Sequence, residues 1–308
     1  VVALVLLGAG ASFGSGDTHP HPPPLGTQLF NKLEELGGYA ASLPNELKAV
    51  FRRDFEAGMA EFEKYGFKVD LHEFHRELAH YIVSFTPGLN NVYVDLIRAL
   101  GNKRVVYCSL NYDLMFEISG ARLGLQPAYH DEFPQDVPGR PPNTFVRILK
   151  PHGSSNFWPD MQGEILKNNR FFGFAADVTA DVEILNQVET LQRCKVDKGF
   201  SPAISMFAVG KAVRACPAYV ARQQEKWRRV AEKASRIFVV GVRVHQVDEH
   251  IWGVLGKTKA PVTYFGVSDN DEVEFNDWQN QSGKRNAWFV RADFAQSVKH
   301  MRALLKGR

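Results

Sequence analysis

The chain opens on an unbroken apolar run, Val1 to Leu7, that ends in Gly8-Ala9-Gly10. Such a run, with no polar alternation, predicts a strand covered on both faces, as inside a parallel sheet. Comparable runs recur at "KRVVYCSLN" (103–111), "FVRILKPHG" (145–153), "RIFVVGV" (236–242), "PVTYFGVS" (261–268) and "AWFVR" (287–291). Between them the apolar period changes. Leu29, Phe30, Leu33 and Leu36 are spaced for a helix that Gly37-Gly38 would stop. Leu71, Phe74, Leu78, Tyr81, Ile82 and Phe85 mark another, and residues 45–64 are read as helical too. "DFAQSVKHMRALL" closes the chain as a helix capped by Asp293.

Strands alternating with helical segments predict an α/β fold, a Rossmann-like parallel sheet with helices on both faces. The stretches 40–100 and 160–235 read as insertions that form a smaller, mainly helical lobe within a single domain, 1–308. The loop "GSGDTHPHPPPLG" is expected to hold no regular structure.

Composition adds little to this picture. The 308 residues, 44% hydrophobic and 23% charged, have the balance of a globular chain large enough for one α/β domain or two modest ones. A net charge of +3 gives no general pull toward nucleic acid or membrane. Cys108, Cys194 and Cys216 form neither a CxxC pair nor an even set, which argues against a disulfide framework and a four-cysteine zinc ribbon. The first apolar run is too short to span a bilayer and lacks a basic flank, so the chain is expected to be cytoplasmic.

Candidate chemistry gathers where strands end. Gly8-Ala9-Gly10-Ala11-Ser12 follows a strand, where backbone N–H groups can approach a phosphate. Phe13 stands where the third glycine of a dinucleotide fingerprint belongs, and a tight structural turn accounts for the same residues. "SLNYD" places Asn111 and Asp113 at the carboxyl edge of the sheet, where ligands of open α/β sheets bind. The alternative is that Asp113 caps the helix "LMFEISGARLG" while Asn111 makes a turn. His152 ends its strand at the same edge, and an imidazole suits general-base work near neutrality. A lone histidine before a glycine is far more often a core residue, and only the other stretches raise His152 above that reading. Gly241 allows a second close backbone approach, although a βα turn with Asp248 as helix cap explains it too. His19 and His21 flank a proline with no third metal ligand evident, so no metal is expected. The basic helix around Trp227, Arg228, Arg229, Lys233 and Arg236 reads as a solvated face, interleaved with Glu225 and Glu232. Phe171-Phe172 fit core packing better than a ligand pocket.

In order and spacing, Gly8 to Ser12, Asn111-Tyr112-Asp113, His152-Gly153-Ser154 and Gly241 through Asp248 resemble the motifs of the sirtuin superfamily. "FSPAISMF" (200–207) and "QEKWRRVAEKASRIFVVG" are similar to the lead-in to the last motif in its zinc-free, divergent bacterial branch. The resemblance implies NAD as substrate, with Asn111 and His152 against the nicotinamide-side ribose as the catalytic pair. It implies that Gly8, Ala9, Gly10 and Ala11 cradle the pyrophosphate and that Ser12 reaches a phosphate or ribose oxygen. Asp113 would hold the nicotinamide carboxamide, Gly241, Val242 and Arg243 would bind the dinucleotide at the second glycine turn, and Ser268 to Asn270 would lie near the adenosine ribose.

The chain departs from protein-deacylating sirtuins in having only Cys194 and Cys216 beyond the HG motif, where four zinc cysteines would stand. Arg243 also replaces the serine after the late glycine. The activity implied is NAD glycohydrolysis to nicotinamide and ADP-ribose or its cyclic form, as a triggered effector of anti-phage defence. Oligomerisation, or an ATPase or Argonaute-type partner, would gate it. A protein deacylase or ADP-ribosyltransferase, and a non-catalytic NAD or ADP-ribose sensor, are the competing readings.

Overall fold

The computed structural model describes residues 2–65, 69–130, 144–161, 178–205, 215–244 and 248–306. The chain enters through β1 (Ala3–Leu7) and turns at once into the five-residue α1 (Ala9–Phe13). A short antiparallel pair, β2 (Thr18–His19) with β3 (Thr86–Pro87), brackets a helical excursion. It comprises α2 (Gly26–Glu35), α3 (Tyr39–Ser42), α4 (Asn45–Arg53), α5 (Phe55–Tyr65) and α6 (Leu71–Val83). α7 (Val92–Leu100) leads back into β4 (Val105–Ser109), α8 (Met115–Arg122), β5 (Gln126–Ala128) and β6 (Phe145–Leu149). A second excursion pairs β7 (Phe157–Pro159) with β8 (Val182–Ile184) and carries α9 (Gln187–Val196) and α10 (Pro217–Lys233). The chain ends through β9 (Arg236–Val240), α11 (Glu249–Lys257), β10 (Val262–Gly266), α12 (Asp269–Ser282), β11 (Ala287–Arg291) and α13 (Phe294–Lys306).

Seven strands form one parallel sheet in the order β11-β10-β9-β1-β4-β6-β5, a Rossmann-like α/β architecture. β1 is central and wholly buried, and its alternate side chains feed two cores. Ala3, Val5 and Leu7 face α7, α8 and α13 through Tyr93, Phe116 and Met301, while Leu4 and Leu6 face α10, α11 and α12 through Trp227, Trp252 and Phe275. This two-sided burial is why the strand sequences lack alternation. The stretches expected as insertions each contain a helix that packs on the sheet layer: α7 lies against α8 and α13, and α10 against α11 and β6. α10 also has the expected solvated face, on which Arg228 bonds Glu225 and Glu232 while Trp227 is buried. Phe171 and Phe172 lie outside the described residues.

The helix ends follow their sequences. Leu36 caps α2 ahead of Gly37, and the Asp293 carboxylate accepts from the Gln296 amide at the start of α13. The loop after α1 departs from expectation in one respect, since Thr18–His19 pairs with Thr86–Pro87.

α6 carries a buried titratable group, His75, whose Nε2 has no hydrogen-bond partner. Burial, reinforced by nearby His72, pushes its imidazole down to about 3 from an ordinary 6.5. The unfolded chain therefore binds a proton that the folded chain refuses, and stability is lost as pH falls from about 6.5 toward about 3. Between pH 7 and pH 5 this should cost about 2 kcal/mol. Urea midpoints at the two pH values should diverge less, by that amount, in His75→Leu than in the unmodified chain; equal divergence would refute the assignment.

Candidate functional site

All seven strands of the sheet point the same way, so their carboxyl ends share one edge. Five neighbours, β10, β9, β1, β4 and β6, deliver to that edge the segments of Ser268, Gly241, Gly8–Ser12, Asn111–Asp113 and His152. The order of connection reverses at β1, which has β4 on one side and β9 on the other. That is the switch point at which open α/β sheets leave a crevice.

The two glycine turns are locked backbone to backbone. Gly8 N–H donates to Val240 O at 3.0 Å and Gly10 N–H to Gly241 O at 2.9 Å. Gly241 has φ +62°, and a Cβ on it would stand 2.1 Å from the Ala11 nitrogen, so only glycine fits. At least part of the glycine pattern therefore serves turn-on-turn packing, and the Gly10 amide is already bonded within the protein.

Ser12, Asn111 and Asp113 form one buried network. Ser12 Oγ donates to Asp113 Oδ2 at 2.7 Å and accepts from Asn111 Nδ2 at 2.8 Å; Tyr93 Oη lies 2.9 Å away. Burial, then the Asp113 charge, holds the Tyr93 phenol well above its ordinary pKa, so it stays protonated and donates to Ser12. The Ser12 hydroxyl thus has its one donor and both acceptor positions engaged. Contact between Ser12 and a phosphate or ribose oxygen requires this network to open. Asn111 Nδ2 also donates to Gly8 O at 2.9 Å, which leaves Oδ1 as the group Asn111 can offer a ligand. Asp113 Oδ1 accepts from the Met115 amide at 3.0 Å, so this carboxylate serves both the helix start and the network.

Beneath the loop lies a buried cation. Lys150 Nζ donates to Asn111 O at 3.0 Å and Asp113 O at 2.7 Å, and pairs with Glu117 Oε1 at 3.1 Å. Burial raises the Glu117 carboxyl pKa, against the Lys150 charge, which lowers it. The Ser155 amide donates to Tyr112 O at 3.2 Å and joins the next loop to this one. Gly153 has φ +78° and would place a Cβ 1.9 Å from Ala203 O, which fixes the turn just after His152.

His152 is 2% exposed, and its Nε2 lies 2.7 Å from Nε2 of the exposed His250. One of the two nitrogens must carry the shared proton. The loops so joined follow β6 and β9, three positions apart in the sheet, which is about 14 Å at ordinary strand spacing. The imidazole pair therefore joins the loops of two strands that flank β1 and β4, the strands that carry Ser12 and Asn111 at their ends. Asp248 occupies the N-cap position of α11, but its side chain makes no cap bond. Asp248, His152 and His250 instead offer ligand atoms that all lie within 4.8 Å of one another, a trio of metal-binding character. His19 and His21 are not part of it.

Ser268 is the N-cap of α12 in a complete capping box with Asp271. Asn270 Nδ2 donates to Glu274 Oε1 at 2.8 Å, and Arg243 reaches the same oxygen at 3.0 Å. Glu274 thus links Asn270, expected near the adenosine ribose, to Arg243 of the second glycine turn. No sequence signal marked Tyr93, Glu117 or His250. Lys150 had one, a charged residue closing a buried strand.

Among the described residues no helix is long and apolar enough to cross a membrane. Compared with known proteins, the chain matches no protein-family model and no curated protein.

Proposed function

We propose that the chain is an NAD glycohydrolase that breaks the bond between C1′ of ribose and the pyridinium nitrogen of nicotinamide. One observation carries the reading. Four loops, distant in sequence, close into a ring over the switch point: the Gly8 turn bonds the Gly241 turn and Asn111, the Asn111 loop bonds the His152 loop, and His152 reaches back to His250. A dinucleotide laid along this edge would run from Ser268–Asn270, past Gly241–Arg243 and Gly8–Ser12, to Asn111 and His152.

Cleavage passes through a state with oxocarbenium character at C1′. Asn111 Oδ1 would accept from a ribose hydroxyl or from the attacking water and hold it in line. His152 would take the proton of that water as its oxygen bonds C1′, and His250, on the solvent side, can receive it. Nicotinamide leaves with the electron pair of the broken bond, giving nicotinamide, ADP-ribose and a proton. If a ring nitrogen of the adenine attacked C1′ in place of water, nicotinamide would leave in the same way and the cyclic product would form.

The test is direct. The purified chain is incubated with NAD, with and without an acylated peptide, and the products are separated by chromatography. Nicotinamide appearing with ADP-ribose, independent of peptide, is the expected result. Release that depends on the peptide would favour the deacylase or transferase, and tight NAD binding with no nicotinamide would favour a sensor. The defence role, its trigger, an oligomeric state and an ATPase or Argonaute-type partner remain parts of the proposal that follow from the sirtuin-like resemblance.

A further inference from the structure

We propose that His152, Asp248 and His250 form a binding site for a single zinc-class divalent ion. The three side chains supply two imidazole nitrogens and a carboxylate oxygen, all within 4.8 Å of one another. That donor set suits zinc, with three protein ligands and a fourth position left for water or another small ligand. It differs from a structural four-cysteine site, and the chain's three cysteines are each buried.

The geometry suits capture. His152 is a nearly fixed member, 2% exposed and carried on a turn that Gly153 holds against Ala203. Asp248 and His250 stand two residues apart at the start of α11 and reach the site from the solvent side. The imidazole nitrogens are 2.7 Å apart, as a hydrogen bond requires. Two nitrogens on a tetrahedral zinc at about 2.0–2.1 Å stand about 3.3 Å apart, so the rings must part by about 0.6 Å. The exposed His250 can supply that movement by a small side-chain rotation, and the ion replaces the proton the rings share. Because the ligands come from the loop after β6 and the start of the helix that follows β9, a bound ion would clamp these two segments together. On the NAD-cleaving reading, ion and transferred proton compete for the same His152 nitrogen, so zinc loading is expected to stop turnover. That consequence rests on the reading; the site itself does not.

Zinc binding to the full chain is measured by competition with a chromophoric chelator, in parallel with His250→Ala, Asp248→Asn and the control His21→Ala. One zinc per chain is expected. Loss of His250 should weaken binding by at least about 100-fold, the upper end of what an outer partner of a ligand costs. Asp248→Asn should weaken it less and His21→Ala not at all. His250 is exposed, and unchanged far-ultraviolet circular dichroism will establish that its variant is folded. No stoichiometric zinc in the unmodified chain, or equal affinity in His250→Ala, would overturn the proposal. Zinc that binds but leaves NAD cleavage untouched would retain the site and remove His152 as the base.

Discussion

Replacing His152 with glutamine is expected to lower NAD cleavage by about 100- to 10,000-fold, the usual contribution of a positioned general base. Glutamine is the more informative variant. His152 is buried and bonded to His250, so truncation to alanine opens a hole in the loop and strips His250 of a partner. Glutamine keeps a polar group near the position of Nε2 and cannot take up a proton at neutral pH. A drop in kcat with little change in KM would mark His152 as acting in the transition state rather than in binding. His152→Gln turning over NAD at the unmodified rate would remove it from the chemistry, and with it the glycohydrolase assignment. The contrast with Asn111→Ala is useful. Asn111 Nδ2 bonds Gly8 O and Ser12 Oγ, so its loss loosens the glycine turn itself and should raise KM as well.

How far the sequence foretold this arrangement depends on the reach of each interaction. β1, β4, β6, β9, β10 and β11 are legible because strands inside a parallel sheet are written as continuous apolar runs. β5 is not: Gln126-Pro127-Ala128 is three residues long, half-polar, and at the sheet edge, where a proline costs no ladder bond. The two-residue pairing of β2 with β3 is likewise below what any apolar pattern can signal. At the site, Asn111, Asp113, His152 and Gly241 are found because each directly follows a strand whose end is predictable, and parallel strands put those ends on one edge. Tyr93 is invisible because it meets Ser12 across 81 residues, from the middle of an amphipathic helix where an aromatic residue is ordinary. Asp248 reads as a helix cap and does stand at the N-cap position, yet its carboxylate belongs with two imidazoles, one of them 96 residues earlier in the chain. Local rules locate the turns; the partners that cross between turns need the fold.

Replacing Lys150 with methionine should cost about 3–5 kcal/mol of stability, the toll for removing one partner of a buried ion pair. The lysine is wholly buried, and its three ammonium hydrogens serve Asn111 O, Asp113 O and Glu117 Oε1. Methionine matches the stem in volume but donates nothing. Two loop carbonyls would lose their partner, and the Glu117 carboxyl, already pushed up by burial, would lose the charge that opposes that push. The Glu117 carboxyl should then be pushed further up and hold its proton more readily, so the variant's stability should fall as pH rises, because the folded chain holds a proton the unfolded one releases. Adding Glu117→Gln should relieve that term. The double variant is therefore expected to be more stable than the sum of the two single losses predicts, with a coupling on the order of 1–3 kcal/mol in urea unfolding. Because Lys150 holds the carbonyls on both sides of Tyr112, NAD cleavage by the folded fraction should drop as well, even though no Lys150 atom need touch substrate. Denaturation midpoints within about 1 kcal/mol of the unmodified chain would mean that the loop is held by its side-chain network alone. The ammonium beneath it would then be carried for some purpose other than the stability of the site.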